Sequence, residues 1–146
     1  SDTGALGRGA ALYLAGRWPE ASAQFADMLE ANPEDGLAAL WLAKARMRSD
    51  LFLAWEELRA GAGPEPEWLM TRAMLTVETV SEATDMLADV EACERAVFFG
   101  VWRVVHLSGE GAENDFRAAE KVCPLDSIEA SETRVELARL KEVADQ

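Results

Sequence analysis

One spacing occurs twice in this chain. Gly9, Ala21, Phe25 and Pro33 are separated by 12, 4 and 8 residues, and so are Gly100, Ala112, Phe116 and Pro124. Such a duplicated ruler is the mark of a helix-turn-helix repeat. Small residues stand where two antiparallel helices approach closely, the Phe fills the gap between one hairpin and the next, and the Pro follows the second helix, which it cannot continue. Stacked helical hairpins build extended surfaces for holding other polypeptides and seldom carry chemistry themselves. The spacing therefore predicts an all-α chain: a right-handed α-solenoid of about four helix-turn-helix hairpins plus a C-terminal capping helix.

Composition agrees with that expectation. The 146 residues are 49% hydrophobic and 28% charged, enough for one folded domain with a core and too few to expect two. Ala, Leu, Glu and Arg, all strong helix formers, dominate. With 27 acidic against 14 basic side chains the formal charge is -13, which repels a phosphate backbone and argues against nucleic acid. A basic or apolar partner suits such a surface, although acidity also serves solubility alone. No apolar run approaches the roughly 20 residues that cross a bilayer, and Ser1-Asp2-Thr3-Gly4 has neither a basic nor an apolar leader region. A start at Ser rather than Met reads as a processed form or an expressed fragment.

Breakers and caps divide the rest. A first hairpin is expected over about 5–31, with Gly16-Arg17-Trp18-Pro19 as its turn. A second runs over 36–60, turning at Arg48-Ser49-Asp50, with Ser49 or Asp50 capping a helix through Ala60. Ala43, Ala54, Leu58 and Pro66 keep its ruler with one residue lost. Gly61 to Pro66 is a loop between hairpins. The third hairpin, 67–91, is short, with Ala73, Ala83 and Leu87 in register and Ser81 as its expected cap. The fourth, 93–123, turns at Ser108-Gly109. Asp126 or Ser127 then caps a closing helix over about 127–144. Its apolar positions are Ile128, Val135, Leu137, Ala138 and Leu140, with Glu129, Glu132, Arg134, Glu136 and Arg139 between them.

The chemistry-bearing residues point away from an enzyme, a cofactor and a metal. His106, the single histidine, stands near a helix end with no nucleophile or acid at a telling spacing. Glu78, Glu82, Asp85, Asp89, Glu91 and Glu94 form an acidic run, but Glu82, Asp85 and Asp89 share a helix face rather than converging on a cation. Of five Trp, four fall among apolar neighbours at helical spacing, and Trp18 at its turn is expected to be partly exposed. Read through the ruler, the first helices of the pairs place Tyr13, Leu40, Lys44, Met47, Met70, Met74, Val101 and Val104 on a concave partner-binding groove, with Arg48 at its edge. A short solenoid filling its own groove is the competing reading. Cys93 and Cys123 each lie 15 residues from Ser108, so antiparallel packing brings them together as a disulfide or as two buried free thiols.

The ruler matches the tetratricopeptide repeat. Ala-Leu-Tyr before Gly-Arg (10–17), Leu-Trp-Leu (40–42), a Trp-led short third hairpin (68–91), Phe-Phe-Gly (98–100) and Val-Glu-Leu (135–137) resemble, in that order, the C-terminal two-thirds of the bacterial NlpI-type lipoproteins. That resemblance implies a non-catalytic adaptor of the periplasm or cell envelope, often a homodimer, which presents cell-wall (peptidoglycan) hydrolases to a tail-specific protease. A cytoplasmic home is the alternative. The resemblance also implies an oxidising compartment and hence the Cys93–Cys123 bridge. This chain departs from the family in having no lipid-carrying Cys at its start, no repeats before Ala5 and no residue matched to a known partner contact. The alternative function is a structural or regulatory assembly subunit whose groove is filled by an N-terminal segment absent from this sequence or by a sister subunit.

Overall fold

A computed structural model describes residues 3–146; Ser1 and Asp2, on which part of the leader reading falls, lie outside the described residues. Among these the chain is helical, without strands. The elements are α1 (Thr3–Leu14), α2 (Trp18–Ala31), α3 (Gly36–Arg48), α4 (Pro66–Thr76), α5 (Val80–Met86), α6 (Ala92–His106), α7 (Ala112–Val122) and α8 (Ile128–Ala144). Helices adjacent in sequence pack on one another within each of two compact units, divided between Leu87 and Ala88. The division falls inside the segment read as the third hairpin.

In the first unit α1 packs on α2, α2 on α3 and α3 on α4. The α1–α2 contact is close because Gly9 has no side chain: a Cβ there would stand 2.5 Å from Cε1 of Phe25. Phe25 and Ala21 are fully buried beside it. Pro19 sits in the first turn of α2, where its missing N–H costs nothing. Asp35 caps α3 by accepting from the Ala38 N–H at 3.1 Å. Trp68 of α4 donates through Nε1 to the Glu34 carbonyl at 3.1 Å, tying α4 to the entry of α3.

The second hairpin departs from expectation. After α3 the chain does not continue as a helix through Ala60. Asp50 takes a left-handed φ of 56°, and only two single 3-10 turns form, Trp55–Glu57 and Arg59–Gly61. The reason is burial: of residues 51–60 only Leu53 is buried, while Leu51 and Phe52 face out, so a helix here would have no face to pack. The cap of α5 is Thr79 rather than Ser81, its hydroxyl accepting from the Glu82 N–H at 3.2 Å. Ala73, Ala83 and Leu87 are fully buried, in register with the ruler.

The second unit comprises α6, α7 and α8 in mutual contact. Its inner contact repeats that of α1–α2: a Cβ on Gly100 would stand 2.5 Å from Cζ of Phe116, with Ala112 and Phe116 fully buried. Glu91 caps α6 by accepting from the Cys93 and Glu94 N–H groups at 2.9 and 3.1 Å, and Ser127 caps α8 at 3.1 Å from the Ala130 N–H. A disulfide joins Cys93 to Cys123, with Cα atoms 4.8 Å apart, closing the hairpin opposite its turn.

The closing helix buries a different face from the expected one. Ile128 and Ala138 are exposed and Val135, Leu137 and Leu140 half-buried, whereas Ala130, Glu132, Thr133 and Glu136 are buried, both glutamates at 1% exposure. Pairing makes this tolerable, since Glu136 accepts from Arg139 at 2.7 Å and the Thr133 hydroxyl donates to the Glu129 carbonyl at 2.8 Å. Small and hydrogen-bonded residues let α8 approach α7 and α6, and the longer aliphatic chains are left at the margins.

Candidate functional site

The ends of α1 and α3 and the start of α2 build a cation–aromatic cluster in the first unit. Trp41, Lys44 and Arg48 follow one another at i, i+3 and i+7 along α3, one stripe of a 3.6-residue helix. Tyr13 from α1 packs edge-on to Trp41 with ring centroids 5.2 Å apart, and Phe25 stacks on the same indole at 5.8 Å. The Lys44 ammonium lies 4.0 Å from the Trp41 ring centroid and 5.3 Å from that of Tyr13. The Arg48 guanidinium lies 4.8 Å over Trp18 and 5.9 Å from Tyr13. Each such contact is worth about 0.5–2 kcal/mol, more where water is excluded. Lys44 is only 5% exposed, so its charge acts from a low-dielectric position.

The stripe is anchored from behind. Arg46 turns away from it, donating through Nε to the Ser22 hydroxyl at 2.8 Å and through Nη1 to the Phe52 carbonyl at 3.4 Å. This fixes the last turn of α3 against α2 and the following segment. Leu40 and Met47, half-buried on α3, border the cations. Tyr13, Trp41 and Lys44 are buried, and the surface left open over them is Trp18, Leu40, Met47 and Arg48, all half-buried. This strip of aliphatic and aromatic carbon with one accessible cation can hold a polypeptide with both apolar and anionic or π-rich groups.

Of the expected groove, Tyr13, Leu40, Lys44, Met47 and Arg48 belong to this one region, with Leu40, Met47 and Arg48 half-buried at its surface and Tyr13 and Lys44 buried beneath them. Met70 and Met74 of α4 are buried and offer a ligand no surface, which corrects the expected methionine strip; both occupy α4 among Trp68, Thr71 and Ala73, all buried. Val101 and Val104 belong to α6 of the second unit, the first buried and the second half-buried. Sequence reasoning missed Trp18 and Trp41 as cation partners, although the i, i+3, i+7 run of Trp41, Lys44 and Arg48 was a signal for them.

Elsewhere the charged groups serve structure. Arg103 of α6 donates to Asp115 of α7 at 2.6 Å. Burial pushes the Asp115 carboxyl above its ordinary range, and the attraction and hydrogen bond of Arg103 offset only part of that rise. His106 ends α6 with its ring 4.8 Å from that of Trp102. From the acidic run, Glu82 stays in the first turn of α5 and Glu91 caps α6. Among the described residues no helix is long and apolar enough to cross a membrane, and no cluster of three His, Cys, Asp or Glu is placed to hold a metal.

Comparison with family models, with curated proteins and with solved structures finds no match to this chain.

Proposed function

We propose that the chain is a non-catalytic scaffold whose hairpins are of the tetratricopeptide type, and that it grips a segment of another polypeptide on the half-exposed Trp18–Leu40–Met47–Arg48 face, which the buried Tyr13, Trp41 and Lys44 support from beneath. The observation that carries this reading is the cluster itself. Two cations are seated on three aromatic rings, and Trp18, Arg48, Leu40 and Met47 leave part of that cluster half-exposed. They match the aromatic and Arg content of surfaces that dominate binding energy. In its specific form the proposal is an adaptor of the periplasm or cell envelope, dimeric, presenting peptidoglycan hydrolases to a tail-specific protease. That form rests on the sequence resemblance and on the disulfide, which suits an oxidising compartment.

Selection of a displayed random-peptide library on the immobilised chain tests the scaffold role. A shared motif is expected to be enriched, and a selected peptide should bind Arg48→Glu about tenfold or more weakly, because reversing a charge at a hot spot removes at least ~1.4 kcal/mol. Absence of enrichment, or equal binding to the variant, contradicts the reading.

A further inference from the structure

The opposite end of the same α3 helix carries a hollow of inverse charge. Between the start of α1, the last turns of α2 and the entry to α3 lies an open pocket of about 400 Å³, walled by Gln24, Asp27, Asn32 and Asp35 with Ala5 and Met28 among its apolar lining. No lysine or arginine is among these lining residues. Its geometry is held by hydrogen bonds within the unit. Gln24 donates through Nε2 to the Ala5 carbonyl at 3.2 Å, Asn32 Oδ1 accepts from the Glu34 N–H at 3.3 Å, and Asp35 Oδ1 accepts from the Ala38 N–H. Asp35 is 9% exposed, so its charge faces little competing water, while Asp27 stands on the exposed wall.

That combination selects a ligand shape. An apolar lining accepts an aliphatic stem, and two carboxylates accept a cationic head at the end of it, as long basic side chains are built. The volume is at the lower end of ligand pockets, suited to one side chain rather than to a whole cofactor. The net charge of -13 draws cations toward the surface at long range, and the pocket discriminates among them at short range. We infer that this hollow takes the arginine or lysine side chain of the polypeptide held by the first unit. The inference rests on the scaffold reading for its biological sense, and its chemistry is tested apart from it.

The probe is blocked arginine, Nα-acetyl-arginine amide, titrated into the whole 15N-labelled chain, with the blocked citrulline derivative as a control of equal shape and no charge. Saturable amide shifts are expected at Ala5 and over 24–35, with citrulline bound about tenfold more weakly, because charge-assisted hydrogen bonds are roughly twice as strong as the neutral ones that citrulline can make. Asp27→Asn, at an exposed position, should keep the helical dichroism and weaken arginine binding by a similar factor of about ten. Equal binding of citrulline, unchanged binding to Asp27→Asn, no saturable binding, or shifts spread evenly over the acidic run at Glu78–Glu94 would each overturn the inference. The scaffold role is read at Arg48 with selected peptides. Failure of the arginine titration with peptide selection intact removes only this pocket, and the reverse result removes only the scaffold.

Discussion

The α1–α2 and α6–α7 hairpins share one inner lock and differ in everything that surrounds it. In both, a glycine lets a phenylalanine lie against the facing backbone, at Gly9 with Phe25 and at Gly100 with Phe116, and a fully buried alanine stands four residues before the ring. Around the first lock the chain adds Trp41, Tyr13 and two cations; around the second it adds a disulfide, an ion pair and a polar helix face. Repeat geometry thus resides in a few small and aromatic positions. The chemistry resides in what the neighbouring helix lays over them.

If the locks are equivalent, Phe25→Ala and Phe116→Ala should each cost roughly 3–5 kcal/mol, the range for removing a fully buried aromatic ring. Hydrogen exchange of the α1–α2 and α6–α7 amides reads each loss locally, and a difference above ~2 kcal/mol would break the equivalence. The disulfide sharpens the contrast, because only one hairpin has it. Replacing Cys93 and Cys123 by Ala should lower the local stability of α6–α7 by about 3 kcal/mol and leave α1–α2 amides unchanged. Intact-mass measurement of the denatured, unreduced chain should show no alkylatable thiol; two would remove the bridge from the account.

The smallest expected effect concerns the ion pair of the α6–α7 hairpin. Burial raises the Asp115 carboxyl above its unfolded value, so the native state holds that proton more tightly. Its contribution to stability is full below the ordinary carboxylate range and is lost as pH rises through the raised value. Asp115→Asn should therefore flatten the fall of α6–α7 stability across that window, with no counterpart in α1–α2. A slope unchanged in the variant would show that burial and Arg103 balance instead.

The duplicated ruler marked the residues of the inner locks as buried repeat positions, but it set each Phe between hairpins, whereas the ring lies against the glycine of its own hairpin because only a residue without a side chain leaves room for it there. Ala73, Ala83 and Leu87 were legible as buried positions from the same ruler. The 51–60 segment was not: its composition favours helix, but propensity cannot tell that only Leu53 would find a core. In α8 the pattern named aliphatic residues as the packing face, yet Glu136, paired with Arg139, and small side chains permit the closer approach, a choice that depends on the partner surface. Met70 and Met74 were placed in a groove because periodicity reports that a residue shares a face and not whether that face is covered. Half of the candidate site was readable, since Tyr13, Lys44 and Arg48 were marked by position, while their aromatic seats at Trp18 and Trp41 required three helices to be assembled.

The central claim is that the first unit holds a polypeptide on its cation–aromatic face. Amide hydrogen exchange of the chain with and without a library-selected peptide tests it most directly. The account predicts protection at 13–18 and 40–48 that disappears in Arg48→Glu; protection confined to α7 and α8, or none at 40–48, would contradict it.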